Sequence, residues 1–514
     1  MNDYAPLWIP LLAGTDEAGG SGILGFIASN PLTPILLLLA VVAFVIYRLP
    51  KIELGHSPRF RRRRILNWLP LGLTYAFLYM GRYNLKVSKF KFEEMKGAAG
   101  RALMGNKDFG IIFGAGTITY GSSFLINGPL TDRIGGRKAI LIGAAGACVI
   151  NFVMGLASWS LVADGTAHEW IAENFLVLFS VLYSVNMYFQ SFGAVAIVKT
   201  NAPWFHVRER GVFGAIFGIL ISLGIYFAFD LGFTILKTFG LQWVFLVPAF
   251  ALAVFWFLDV AMVRNTPGEA GHRDFDTADA SSGDDGPQLG AKEVFKLMLQ
   301  NKVIVTIAMV EFCSGFLRQA IMQWYRTYAK QTDALLGLKD SFVYDNWGML
   351  LCAAGILGGV MAGIISDRVF QSRRGPVAGL LYAFMLVCAV ILTFTYKTAA
   401  VGPLVILMSM AVIGVHGMLS GTASMDFGGR KNVGVAVGII DGFVYLGTAV
   451  MSLLYSFILP GEKLDAAGKL FGDALNPDNW SSWPISMIPV AGLGFVLALR
   501  VWNAKPKAKA KAKA

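Results

Sequence analysis

Arg82 lies near the far end of an apolar stretch, Leu66 to Lys89, that is long enough to cross a bilayer. No acidic residue lies within a helical turn of it on that stretch. An arginine in hydrocarbon costs about +2.5–3.5 kcal/mol on insertion scales, so it calls for a partner from elsewhere in the fold. Tyr75 and Tyr79 precede it by seven and three residues, which on a helix sets two phenol hydroxyls on the guanidinium's face. That combination has the chemistry of an anion site. The alternative is an arginine that snorkels to the outer headgroups.

A second arginine has the same setting. Arg318 lies about as far along its apolar span, which begins near residue 302, as Arg82 does along the span from 66. Helices related by an internal pseudo-two-fold put equivalent positions across one central cavity. Two guanidiniums facing each other there would clamp a dianion, as phosphate is, through fork-like, charge-assisted hydrogen bonds. Two internal pairings compete with this. Arg318 can meet Glu311, seven residues earlier on the same face, and Arg82 can meet Asp441 in the span GIIDGFVYLG.

The elements that must carry these residues follow from composition. Of 514 residues, 55% are hydrophobic and only 15% charged, and the mean hydropathy is +0.59. Such a chain is an all-α polytopic membrane protein. In that class a net charge of +12 belongs to basic cytoplasmic loops facing anionic lipid and implies no nucleic-acid partner. Cys148, Cys313, Cys352 and Cys388 each sit in an apolar run, without metal-binding spacing or a disulfide framework.

The expected organisation runs in seven parts. Residues 1–22 are an extracytoplasmic N-terminus, 23–49 an extra transmembrane helix, and 50–65 a dense basic cytoplasmic linker. Six spans fill 66–263 and six more fill 301–503. Between them, 264–300 is a Gly/Asp/Ser-rich cytoplasmic loop, expected to be a flexible linker, and 504–514 is a basic cytoplasmic tail. The 86–107 loop is Lys-rich and breaks the charge pattern on the outer side.

The halves repeat one another. GPLTDRIGGRK at 128–138 follows the second span of the first half, and GIISDRVFQSRRG at 363–375 follows the second span of the second. A G-x-x-[ST]-D-R turn at equivalent places argues duplication rather than two chance charged turns. Here the sequence resembles the major facilitator superfamily, whose motif between helices two and three has this form; Asp132, Arg133, Arg137 and Lys138 match it, and Asp367 and Arg368 are its echo in the second half. The resemblance implies two six-helix halves with pseudo-two-fold symmetry, to which this chain adds its N-terminal helix, and a gating role for those residues.

A narrower resemblance rests on YAFLYMGRYN around Arg82, on Arg318 followed by Trp324, Thr327 and Tyr328, and on WFHVRERG at 204–211 and SDRVF at 366–370. These look like the organophosphate:inorganic phosphate antiporters, which include the glycerol-3-phosphate and hexose-6-phosphate carriers. The resemblance covers about 65–503. It implies that Arg82 and Arg318 bind the phosphate and that Tyr75, Tyr79 and Tyr120 line the cavity. Departures are equally specific. Phe124 stands where the glycerol-3-phosphate carriers have a lysine, the fifth helix lacks their histidine, and Cys352 replaces an acidic residue. Asp441 stands alone where hexose-phosphate carriers pair an Asp with a Lys. Neither substrate carries over.

The remaining candidate ligands are polar residues inside spans. Gln190 matches the family pattern, Asn186, Gln319 and Gln323 can reach sugar or glycerol hydroxyls, and Trp324, His416, Asp441 and Tyr445 complete the substrate-binding set. Hydrogen bonding between helices explains the amides equally well. Lys199, near a span end, has the position of a snorkelling residue. His416 is the one histidine well inside a span and could couple protons or simply pack. No nucleotide-binding loop, nucleophile cluster or metal set is visible, which argues against a pump, an enzyme or a cofactor.

The resulting expectation is a monomeric transporter in a bacterial inner membrane, exchanging an organophosphate for inorganic phosphate by alternating access, with its C-terminus cytoplasmic. A sugar-phosphate-binding membrane sensor and a proton-coupled symporter for another anion are the alternatives.

Overall fold

The computed structural model describes residues 54–97, 101–206, 209–277, 291–370, 373–420, 424–465 and 470–503. The expected N-terminal segment 1–22, the extra helix over 23–49 and the tail over 504–514 lie outside the described residues.

Twelve long helices form the bundle. The first half holds α1 (Pro58–Phe92), α2 (Asn106–Ile134), α3 (Gly136–Val162), α4 (Phe175–Asn201), α5 and α6 (Trp243–Met262). Helix α5 begins as Arg210–Tyr226, passes through a π-helical turn at Phe227–Leu231 and ends as Gly232–Phe239. The second half holds α7 (Lys302–Gln331), α8 (Trp347–Ile364), α9 (Arg374–Thr395), α10 (Val401–Met418), α11 (Ser424–Ile458) and α12 (Ser482–Arg500). Among the described residues, eleven helices are long and apolar enough to cross a membrane; α1, rich in basic residues and tyrosine, is a further long helix.

Helix α1 starts well before its apolar stretch because the arginine run is itself helical. Ser57 caps it, accepting from the Phe60 amide at 3.2 Å, and Pro58 occupies the first helical position, where a missing N–H costs nothing. It ends at Phe92, so Lys86, Lys89 and Lys91, at the start of the Lys-rich 86–107 stretch, lie in its last two turns.

The halves meet along two helix pairs, α2 against α11 and α5 against α8. Small residues set the approach of the first pair: a Cβ on Gly121 would stand 2.9 Å from the Gly442 carbonyl oxygen. The central segment 264–300 is held at its described ends. The Arg264 amide donates to Asn67 Oδ1 at 2.7 Å, Trp204 Nε1 donates to the Arg264 carbonyl at 3.2 Å, and Ala291–Gln300 forms a helix.

At the end of the bundle where α1 and α7 finish, ion pairs join the halves. Lys89 Nζ lies 2.6 Å from Glu93 and 3.2 Å from Glu462, and Lys330 Nζ lies 2.6 Å from Glu93 and 3.1 Å from Glu94. Asn106 and Gln331 bridge them beside this cluster at 2.9 Å.

Candidate functional site

Arg82 is fully buried and is met by neutral groups. Its Nη1 donates to the Tyr445 hydroxyl at 2.5 Å and its Nη2 to the Tyr120 hydroxyl at 2.7 Å, with Gln190 Oε1 farther off at 3.4 Å. The guanidinium carbon stands over the rings of Tyr120 and Tyr79 at 4.4 and 4.5 Å. Such contacts keep a cation desolvated without neutralising it. Tyr75 packs edge-on against Tyr79 with centroids 5.2 Å apart, one shell out from the guanidinium. Helix α4 fixes α1 here: Tyr183 donates to the Arg82 carbonyl at 2.9 Å and Asn186 to the Gly81 carbonyl at 3.0 Å.

Arg318 is 4% exposed, and its buried Nε and Nη2 have no hydrogen-bond acceptor among the described residues. Tyr79, Tyr83 and Tyr445 lie within electrostatic reach of both arginines, so one group of tyrosines is shared by the two guanidiniums. The approach of α7 to α11 depends on Gly315, whose Cβ would fall 1.8 Å from the Val444 carbonyl oxygen.

The two competing internal pairings are not what the side chains do. Glu311 Oε2 lies 2.8 Å from His416 Nδ1, and Asp441 accepts from the Ser420 hydroxyl. Both carboxylates stay within electrostatic reach of Arg318 without bonding it.

The other candidates divide. Gln323 donates to Gln319 Oε1 at 2.9 Å, and Gln319 in turn donates to the Tyr83 hydroxyl at 2.8 Å, so an amide relay runs beside Arg318. Trp324 is elsewhere, buried among Phe109, Tyr455 and Trp480 at the end of the bundle. Its companion there is Lys86, buried, bonded to Thr327 and facing the Phe109 and Trp324 rings at 4.7 and 5.4 Å. Tyr83 and Lys86 were not among the sequence candidates. The one-turn spacing of Lys86 from Arg82 is the signal that could have found it.

Of the motif residues, Asp132 Oδ1 accepts from Lys199 Nζ at 2.7 Å, which gives Lys199 a partner rather than a snorkelling role. Arg137 donates to the Val260 carbonyl at 2.7 Å, tying the start of α3 to α6. Arg133 and Arg368 are exposed, and Asp367 lies with Arg368 in the π-helical turn Ile365–Val369.

The model of the Major Facilitator Superfamily matches residues 71–452, most of this bundle. The chain belongs to the Major Facilitator Superfamily. Superfamily members are transporters, and the expected fold of two six-helix halves is the one found. The relatives it resembles are those the motifs indicated. A glycerol-3-phosphate transporter of Bacillus subtilis is 26% identical over 465 residues, covering 88% of this chain and 95% of the relative. A probable hexose phosphate transport protein of Chlamydia trachomatis is 22% identical, covering 87% and 92%. Among solved structures, a bacterial homologue of the human lysosomal transporter Spinster, itself 12% identical, superposes with a TM-score of 0.59 over 89% of this chain and all of that one. At that identity the likeness concerns the superfamily fold alone.

Proposed function

We propose that this chain is a secondary transporter that carries an organophosphate of the sugar phosphate or glycerol phosphate type and exchanges it for inorganic phosphate by alternating access. One observation carries the reading: Arg82 is fully buried yet bonded to neutral phenols, while Arg318 in the other half has two buried nitrogens, Nε and Nη2, with no acceptor among the described residues. A phosphate fits that deficit, since it presents two negative charges and several acceptors to two planar forks.

Exchange follows from electrostatics. Each uncompensated buried charge costs several kcal/mol, so passing through the occluded state empty is expensive and passing through it loaded is not. Tyr75, Tyr79, Tyr120, Gln190 and Tyr445 hold the phosphate end, and Gln319 and Gln323 face the organic group. The relatives named as glycerol-3-phosphate and hexose phosphate transporters support the substrate class. The basic loops orient the C-terminus to the cytoplasm, and the bacterial relatives favour an inner membrane. We take the functional unit to be the monomer, because the interface lies within one chain.

The test is counterflow. Proteoliposomes loaded with inorganic phosphate should take up labelled phosphate, and Arg82→Lys or Arg318→Lys should abolish uptake, because an ammonium cannot supply the planar fork. Undiminished exchange in both variants overturns the site.

A further inference from the structure

The second half contains a polar cluster that phosphate clamping does not use. Glu311 on α7 is fully buried; its Oε2 lies 2.8 Å from His416 Nδ1 on α10, and its Oε1 has no partner among the described residues. The imidazole is 16% exposed, whereas the carboxylate is fully buried. Asp441 on α11, bonded to Ser420, lies within electrostatic reach of His416, Glu311 and Arg318.

The neighbours from each packed helix are few. Helix α7 contributes Arg318 and Cys313, α11 contributes Asp441 and Tyr445, and α9 contributes Tyr382, whose hydroxyl donates to the Val310 carbonyl at 2.6 Å. Toward the start of α7 the pair is backed by an apolar cluster of Ile304, Ala308, Val435, Ala436 and Ile439. Helix α8, packed on α10, carries no acidic or basic residue between Trp347 and Ile364.

Glu311 and Asp441 stand within electrostatic reach of Arg318 without bonding it, so they offset the arginines only in part and leave them short of the acceptors an anion would bring. A dianion adds two negative charges in a poorly solvated place. One proton on the Glu311–His416 pair cancels one of them, and the pair is built to hold it: Nδ1–H donates to the carboxylate, leaving the Nε2 lone pair to accept a proton from water and form an imidazolium beside Glu311.

We propose that Glu311 and His416 form a proton-binding site coupled to anion binding, so that the transported unit is a phosphate dianion together with a proton. The inference rests on the anion reading of the two arginines. Linkage makes the coupling reciprocal: an anion on Arg318 raises the pair's hold on its proton, and the protonated pair tightens the anion.

The experiment is calorimetric titration of the full-length chain in detergent with inorganic phosphate, in two buffers of different protonation enthalpy at about pH 8, where phosphate is mostly dianionic. Comparing wild type with His416→Gln cancels the phosphate's own proton exchange. Wild type should take up more protons per phosphate bound, by a sizeable fraction of one, and Glu311→Gln should match His416→Gln. Because Glu311 is fully buried and its variant risks misfolding, the partly exposed His416 carries the decision alone if needed. Phosphate binding with equal proton uptake in wild type and His416→Gln overturns the proton site and leaves the anion site standing. A wild type that binds no phosphate overturns both.

Discussion

The Tyr445 hydroxyl on α11 lies 2.5 Å from Arg82 Nη1 on α1, 363 residues earlier in the chain. The bond crosses from one half to the other at the buried guanidinium, and the phenol accepts through oxygen while keeping its own proton to give away. An anion seated on Arg82 can take that proton in a hydrogen bond. Tyr445→Phe should therefore weaken phosphate binding by about 1.5–3 kcal/mol, roughly ten- to a hundred-fold, as for a hydrogen bond to a charged group. The KM for phosphate in self-exchange reads this directly; an unchanged KM removes Tyr445 from the site.

The ion pairs at the end of α1 and α7 make the contact between the halves there pH-dependent. Burial raises Glu93, but Lys89 and Lys330 outweigh it and hold the carboxyl below its ordinary range. Burial also raises Glu462, and there Lys89 does not undo the rise. Glu93 thus stabilises the closed arrangement at any pH above its unfolded value and fails only as pH falls through its lowered folded value. Glu462 behaves in the opposite sense: its folded form is favoured when protonated, and that gain is lost as pH rises through its raised folded value. On acidification Glu462 takes its proton first, and by linkage the closed arrangement gains while Glu93 still holds its two lysines. A cysteine placed at Asn106, beside this cluster, should therefore label more slowly with an impermeant thiol reagent as pH falls through the raised Glu462 value, and faster again only once Glu93 is protonated. In Glu462→Gln, neutral at every pH, the labelling should already be slower at neutral pH, by roughly five-fold for a gain of about 1 kcal/mol, and should lose the first, slowing step.

How much of this was legible beforehand depends on the range of the interaction. Arg82 and Arg318 announce themselves because a guanidinium in an apolar span is costly wherever the helix sits. Tyr79 follows from helical spacing, and Tyr120 only from resemblance to known carriers. The pairing of Glu311 with His416, across 105 residues, has no local signature; periodicity suggested Arg318 as the partner, and tertiary packing decided otherwise. Lys86 lies inside the span from 66 yet groups with the Lys-rich 86–107 stretch, and only the tertiary fold shows its ammonium facing the Phe109 and Trp324 rings. Trp324 carried the family spacing, yet the helix turns it away from Arg318 toward Trp480.

Packing at the site makes one glycine indispensable. At Gly315, one turn before Arg318, a methyl group would meet the Val444 carbonyl oxygen at 1.8 Å, and backbone cannot swing aside as a side chain can. Gly315→Ala must push α7 from α11 and carry Arg318 away from Tyr445. Overpacking of this kind costs about 1–3 kcal/mol. The variant should unfold at lower temperature in detergent and lose phosphate exchange, whereas Gly359→Ala, where nothing lies within 4 Å of the new methyl, should do neither.

The amide relay bears on which ester is carried. Gln323 gives one N–H to Gln319, Gln319 passes one to Tyr83, and the buried Oε1 of Gln323 is left without a donor. An unsatisfied buried acceptor beside the proposed phosphate clamp suits a substrate hydroxyl, since filling it recovers a desolvation cost of about 1–3 kcal/mol. Inorganic phosphate has no carbon-bound hydroxyl to place there. Gln323→Leu should accordingly raise the KM for a hydroxylated ester such as a hexose phosphate by more than it raises that for inorganic phosphate, in competition against labelled phosphate self-exchange. Equal changes for both would assign Gln323 to helix packing, because a displaced Arg318 affects every phosphate alike while a lost hydroxyl contact affects only the esters that have one.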